Sequence, residues 1–301
     1  MTSRHPGMRE RLGAALLGRV AGEDADAKRH RIHGAPGPRW FAPGSPVQQV
    51  HGDASMFVGG LGALLLQSLH PLAMAGVAGH SGYRGDPWGR LQRTSTFLAV
   101  TTFGTAEDAE AAVAAVRRVH ARVRGRAADG RAYAASDPHL LEWVHVAEVD
   151  SFLRAHQAYG ARRLDPEGYD EYVRQTARVA RALGARDVPT SVAELGERLE
   201  RFRPELEGTA AARSAARFLL LRAPLPVAAQ GPYLALGAAA VSLLPRWSRR
   251  PLRLPSVPPL ERTVGRLGGV AMTSAIRWAL AATPPPAASV GAGVTGERAR
   301  S

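Results

Sequence analysis

The chain of 301 residues is long enough to bury a sizeable core, and its 45% apolar and 22% charged residues are typical of a globular protein. Cysteine is absent, which excludes disulfide bonds, cysteine nucleophiles, thiolate haem ligation and cysteine-based zinc or iron–sulfur sites. The net charge of +13 comes almost entirely from scattered arginines, since Lys28 is the only lysine. No nucleic-acid-binding motif accompanies this charge, so no nucleic-acid partner is expected.

The two ends of the chain differ in composition from its middle. Residues 1–45 are rich in Gly, Pro, Arg and His, which predicts a flexible basic segment with a short helix near Met8–Val20. The segment lacks the apolar stretch of a signal peptide, so a cytoplasmic location is expected. Residues 284–301 are rich in Pro, Ala and Gly, which predicts a disordered tail. Residues 46–283 are expected to form one folded domain.

Helix caps and helix breakers divide the chain into predicted helices. Alternating strand patterns bounded by hairpin turns are missing, so the fold class predicted is all-α, a single domain of about ten helices. The main predicted helices are Asp53–His70, Asp86–Gly104, Thr105–Gly125, Asp137–Gly160, Leu164–Gly184, Thr190–Phe202, Pro204–Leu221, Pro226–Pro245 and Pro259–Ala282.

The most apolar of these helices, Pro226–Pro245, is about as long as a membrane span. It is rich in Ala and Gly and contains Gln230 and Pro232, which favours a buried helix. Membrane contact is the alternative, and a transmembrane protein is not expected.

His120 lies on the apolar face of the predicted helix Thr105–Gly125. Spacings of three and four residues align it with Val113, Val116 and Val123, so its imidazole is predicted to point into the core. A histidine in this position either ligates a metal or donates a hydrogen bond to a carbonyl oxygen.

His145 is predicted to face inward on the helix Asp137–Gly160. Glu142 precedes it at the spacing used in di-iron carboxylate bundles, but no second Glu-x-x-His motif exists in the chain. A pair with Glu148, or an exposed Glu148, is the simpler interpretation. The alternative non-haem metal site would combine His70, His80, His120, His145 and Glu148.

Arg90, Arg93 and Thr94 lie on one stripe of the helix Asp86–Gly104. Arginine offers a planar, permanently charged donor fork for carboxylates, so the stripe favours a buried anion such as a haem propionate. The alternative is that the arginines face solvent or pair with a neighbouring carboxylate such as Asp86.

Two further histidines lie where predicted helices break. His70 precedes Pro71, and His80 precedes a Gly-rich turn, so each could shape a turn or line a pocket. The remaining histidines fall in predicted loops, caps or exposed faces and receive no role: His5, His30, His33, His51, His139 and His156.

An ordered series of motifs resembles the oxygenase family that includes MpaB and the latex-clearing rubber oxygenases. The resemblance covers about residues 45–280. Its elements are Gln67-x-x-His70-Pro71, Gly76-Val77-x-x-His80-Ser81, Asp86-Pro87-x-x-Arg90-x-x-Arg93-Thr94, Val119-His120-x-x-Val123-x-Gly125, Asp137-Pro138, Trp143-Val144-His145 and the weaker Leu243-Leu244-Pro245.

The resemblance implies a helical fold that holds a b-type haem without a covalent bond. It implies that His120 is the proximal iron ligand and that Arg90 and Thr94 belong to the haem pocket. Latex-clearing proteins have lysine directly before this threonine, whereas this chain has Arg93, which is a poor iron ligand because it stays protonated. The distal position is then open, water-bound or approached by His70, His80 or His145.

The function implied by the resemblance is that of a haem b-dependent oxygenase. Such an enzyme would use dioxygen on a small apolar substrate of isoprenoid or lipid-like type. The catalytic candidates are Arg93, Thr94, His70, His80 and His145. A glutamate matching the base proposed for rubber cleavage is not identified. The alternatives are a haem carrier or sensor without turnover and a basic helical nucleic-acid-binding protein, and no oligomeric state is predicted.

Overall fold

The computed structural model describes residues 7–22, 24–80, 85–255 and 265–282. These residues form fourteen α-helices and one two-stranded sheet, which confirms the predicted all-α fold. The tail predicted at 284–301, the start of the helix predicted from Pro259, and Ser81 lie outside the described residues. The helices are α1 (Met8–Ala21), α2 (Ala25–Gly34), α3 (Pro46–His51), α4 (Ser55–Gln67), α5 (Pro71–His80), α6 (Pro87–Phe103), α7 (Ala106–His120), α8 (Pro138–Tyr159), α9 (Pro166–Leu183), α10 (Val192–Phe202), α11 (Ala210–Leu221), α12 (Val227–Leu243), α13 (Arg246–Arg249) and α14 (Arg266–Leu280).

Side-chain caps begin several helices where the sequence predicts them. The Asp86 carboxylate accepts a hydrogen bond from Gly89 N at 2.8 Å at the start of α6, and the Thr105 hydroxyl accepts one from Asp108 N at 3.1 Å at the start of α7. Asp137 caps α8 in the same way. Each cap satisfies a backbone N–H that has no partner within its own helix.

The helix predicted over Thr105–Gly125 ends early, at His120. The chain then forms a hairpin that was not predicted, with β1 (Arg124–Arg126) antiparallel to β2 (Ala132–Ala134). Gly130, with φ of +86°, provides the positive φ that the connection between the strands requires.

Two further helix predictions are corrected. The segment after Pro204 forms only a 3₁₀ turn, Arg203–Glu205, and α11 begins at Ala210 after the Thr209 cap. In α12, the predicted buried helix, only the C-terminal half is buried, and Val227 at its start is 83% exposed.

The N-terminal segment contains two helices, α1 and α2, and α1 packs against α6 and α14. This contact places residues from within the predicted flexible region 1–45 on the helical domain. Among the described residues, no single helix is long and apolar enough to cross a membrane; α4 and α5 meet that length only together, and they are bent by 105°.

The core surrounds α8, which packs against α4 along its length and also against α9 and α10. Trp143 and Val146 on α8 and Tyr172 on α9 are fully enclosed. Burial of such side chains contributes about 1.5–3 kcal/mol each. The core thus holds α8 rigidly, and with it the polar side chains that α8 carries.

Asp53, which lies just before the start of α4, joins three distant parts of the fold. Its carboxylate accepts hydrogen bonds from Ser55 N at 2.7 Å and Ala161 N at 3.1 Å, and it forms a two-pronged ion pair with Arg277 of α14. Although burial alone would raise the pKa of Asp53, the hydrogen bonds from Arg277 and Ser55 lower it to about 2. Asp53 therefore stays charged and ties α14 to the core.

Candidate functional site

The predicted site residues lie on two groups of helices. Helix α6 packs against α1, α2, α3 and α7, whereas α8 packs against α4, α9 and α10. Helix α3 contacts both α6 and α8, and α9 contacts both α7 and α8. The interior between α6, α7 and α8 is thus bridged by α3 and α9.

His120 is the last residue of α7 and is half-buried. Its Nδ1 atom is enclosed and has no hydrogen-bond partner among the described residues. Burial lowers the pKa of His120. At neutral pH the ring is therefore uncharged and has an unpaired nitrogen, the state that a metal-ligating histidine needs.

His145 is placed inward on α8, as its spacing predicts. It is 9% exposed, and its Nε2 atom is enclosed without a hydrogen-bond partner in the described structure. Burial, with a smaller effect from the Arg181 charge, lowers the pKa of His145 to about 4. A second neutral imidazole with an unpaired nitrogen is thus held in the interior.

Glu148 follows His145 by one helical turn, on the same face of α8. No hydrogen bond joins the two side chains in the described structure, so the predicted His145–Glu148 pair does not form. Burial raises the pKa of Glu148 to about 7. Burial, together with the nearby charge of Glu148, raises the pKa of Tyr172 on α9. The Glu142 carboxylate instead forms an ion pair with Arg198 at 2.9 Å.

His51, which received no role from the sequence, belongs to this interior. Its Nδ1 atom lies 2.8 Å from Thr102 Oγ1 on α6, and its Nε2 atom lies 3.3 Å from the Tyr172 hydroxyl on α9. Its ring packs edge-on against Phe152 of α8, with centroids 5.5 Å apart. Burial lowers the pKa of His51 to about 3. The spacing of the buried Val47 from His51 was a signal for this inward position.

The polar stripe of α6 divides into two environments. Arg93 is 66% exposed in its side chain and pairs with the Asp86 carboxylate at 3.3 Å, which is the alternative that the sequence left open. Thr94 is exposed, whereas Arg90 is half-buried. Arg90 is therefore better placed than Arg93 to meet an anion in the interior.

His70 lies apart from His145. It is buried at the break between α4 and α5, and its ring centroid lies 6.2 Å from that of Trp143. Trp143 and His145 are two residues apart on α8, which places them on roughly opposite faces of the helix. His70 is consequently a poor candidate for the distal position of a metal that His145 approaches.

His80, at the exposed end of α5, lies against the hairpin, with its Nδ1 atom 3.3 Å from the Tyr133 hydroxyl. The predicted non-haem site of four histidines and Glu148 does not form as one cluster. In the described ranges, the one group of three or more potential metal ligands whose ligand atoms lie within 4.8 Å of one another is His70, His139 and Glu205.

Two other histidines also differ from the prediction. His156 was placed among loops, caps and exposed faces, but it is fully buried and its Nδ1 atom lies 3.1 Å from the Tyr169 hydroxyl. His139 lies in the first turn of α8, and its Nε2 atom contacts the Glu205 carboxylate. Its position in a helical first turn gave no indication of that partner.

A family model described as "ER-bound oxygenase mpaB/B'/Rubber oxygenase, catalytic domain" matches residues 48–281. The match extends from within α3 to the end of α14 and includes all the site residues named above. No curated protein and no solved structure matches the chain significantly.

Proposed function

The chain belongs to the MpaB and rubber oxygenase catalytic-domain family, an oxygenase family, and we propose that it is a haem b-dependent oxygenase acting on a small apolar substrate. The observation that carries the proposal is the His120 imidazole, which is neutral, enclosed at Nδ1 and without a hydrogen-bond partner in the described structure. His120 also occupies the motif position that resembles the proximal ligand of the family.

Two of the residues present support haem as the cofactor. An enclosed polar nitrogen without a partner costs about 1–3 kcal/mol, and ligation of the ring would offset that cost. His120 would ligate the iron, and the half-buried Arg90 would bind a propionate. When bound, the haem supplies an iron centre that binds and activates dioxygen.

Glu148 is our candidate for proton transfer. Because its pKa is about 7, its carboxylate oxygen can accept or release a proton near neutral pH, which suits a general acid or base. Glu148 is half-buried on α8, and this burial is what raises its pKa. Glu148 thereby offers the carboxylate for which the sequence identified no counterpart.

His145 and His51 would act in different ways. His145 presents an unpaired Nε2 atom on the same face of α8 as Glu148, so it would contact the substrate or dioxygen. His51 is a positioning residue, since its contacts with Thr102 and Tyr172 hold α3, α6 and α9 together.

The ultraviolet–visible spectrum tests the haem assignment directly. Protein expressed with sufficient iron and haem precursor should show a Soret band that shifts on reduction with dithionite. The His120→Ala variant should lose haem, whereas His30→Ala, which removes an exposed histidine, should retain it. A colourless wild-type protein that also fails to bind added hemin would refute the proposal, and full haem retention with an unchanged spectrum in His120→Ala would refute the ligand assignment.

Oxygen consumption separates an enzyme from a haem carrier or sensor. Turnover with polyprenyl substrates by the haem-loaded protein would support the oxygenase, and haem binding without any oxygen uptake would favour a carrier or sensor. The cytoplasmic location and the lack of a nucleic-acid partner stay predictions, which cell fractionation and salt-dependent DNA binding would check.

A further inference from the structure

Three side chains from separate parts of the chain meet beside the N-terminal end of α8. His70 lies between α4 and α5, His139 lies in the first turn of α8, and Glu205 lies in the 3₁₀ turn after α10. The His139 Nε2 atom is 2.8 Å from Glu205 Oε2, and the His70 Nε2 atom is 3.4 Å from the same oxygen. One ligand atom from each residue lies within 4.8 Å of those from the other two.

His70 is the unexplained member of this cluster. It is 2% exposed, yet neither of its ring nitrogens has a hydrogen bond within the described residues. The 3.4 Å contact with Glu205 is close but is not a hydrogen bond, whereas His139 forms one with Glu205. A simple His139–Glu205 pair therefore explains two of the side chains and leaves the buried one unsatisfied, which is costly.

The surroundings hold the cluster in place. The centroid of the Phe202 ring lies 4.7 Å from that of His139 and 6.5 Å from that of His70, so Phe202 packs against both imidazoles. Glu207 N donates a hydrogen bond to Leu69 O at 2.8 Å, which fixes the chain after Glu205 against the residue before His70. This backbone hydrogen bond joins the segments of His70 and Glu205 without using the three side chains, and Phe202 packs against both imidazoles.

We propose that His70, His139 and Glu205 bind one divalent transition-metal ion, with zinc as the best-suited metal. Two imidazoles and one carboxylate are a common zinc ligand set, and they leave a fourth position for water or another ligand. Because His139 and Glu205 are exposed, the fourth coordination position would face solvent. The ion would link the bend between α4 and α5 to the start of α8, on the face of α8 that lies opposite His145. The site is independent of the proposed haem.

Isothermal titration calorimetry with zinc chloride tests the site in the full chain after chelator treatment, with metal content measured by mass spectrometry. We expect one zinc per chain in the wild type and an affinity weakened by at least about 10-fold in His139→Ala and in Glu205→Gln. These two side chains are exposed, so their replacement should leave folding intact, whereas His70→Ala removes a buried side chain. His30→Ala is the matched control and should bind zinc as the wild type does.

Two further readouts make the test decisive. Zinc should raise the melting temperature of the wild type and not that of the double variant His139→Ala/Glu205→Gln, because a ligand that binds the folded state stabilises it. The Soret band and hemin uptake of this double variant should match those of the wild type, which separates the zinc site from the haem. The proposal is overturned if zinc, cobalt and nickel bind the wild type no more tightly than the double variant.

Discussion

Gly59 lies where α4 packs closely against α8, and its replacement by alanine should destabilise the fold. A Cβ atom at this position would lie 2.7 Å from the Phe152 ring and 3.0 Å from the Phe152 Cα atom, so the backbone of α8 would have to move. Overpacking of this kind costs about 1–3 kcal/mol. The higher helix propensity of alanine offsets up to about 1 kcal/mol of that cost. We therefore expect a net loss of up to about 2 kcal/mol.

The neighbouring Gly60 provides a matched control. A Cβ atom there would lie 3.9 Å from Phe152 Cε1, an ordinary contact, so Gly60→Ala should be neutral or more stable by up to about 1 kcal/mol. Urea denaturation followed by circular dichroism would compare the two variants with the wild type. Equal stability of Gly59→Ala and Gly60→Ala would refute the close packing of α4 on α8. Because Phe152 also contacts His51, Gly59→Ala should alter haem uptake as well.

Two further predictions concern the interior polar groups. Burial raises the pKa of Glu148 from 4.5 to about 7, so the folded protein holds this proton more tightly than the unfolded chain does. The stability that Glu148 contributes is therefore fully present below the unfolded-state pKa and is lost as the pH rises through about 7. Glu148→Gln should remove this pH-dependent loss of stability, which is at most about 3 kcal/mol. Urea denaturation at several pH values between about 4 and 8 would measure it, with Glu197→Gln, which changes an exposed side chain, as the control. Parallel plots of unfolding free energy against pH for the wild type and Glu148→Gln would contradict the assignment. Arg90→Ala should weaken hemin binding by about 1–3 kcal/mol, whereas Arg93→Ala, which removes an exposed ion pair with Asp86, should change it by less than about 1 kcal/mol. Equal hemin affinities in titrations of these two variants would remove the propionate role of Arg90.

Helix starts were predictable because the physics that sets them is local. Asp86, Thr105 and Asp137 each bond a backbone N–H two or three residues further on, so a short stretch of sequence contains the whole interaction. The family could be identified for a similar reason, since its motifs are short segments read in order. The family match over residues 48–281 confirms that identification.

The early end of α7 shows where local patterns mislead. The apolar spacing that includes His120 continues to Val123, so periodicity alone extends the helix. Asp129-Gly130 is a hairpin signal, but strands of three residues are too short to show a clear alternation of apolar and polar side chains. The hairpin is seen only once β1 and β2 pair.

The site was predictable in part, according to how far apart its residues lie in sequence. The inward direction of His145 follows from the period of its own helix. The partner of His51, Tyr172, is 121 residues away, and the Glu205 carboxylate that approaches His70 lies on an unrelated turn. Such pairs depend on how α3, α8, α9 and α10 pack, and no local pattern encodes that packing.

The contact between Asp53 and Arg277 has a consequence for biosynthesis. The two residues are separated by 224 positions, so the ribosome completes the carboxylate at the start of α4 long before it makes the guanidinium on α14. Until Arg277 emerges, Asp53 has no cationic partner, and burying it beneath the growing domain would be unfavourable. Docking of α14 therefore completes the charge pairing of Asp53 and closes α4 at its N-terminal end.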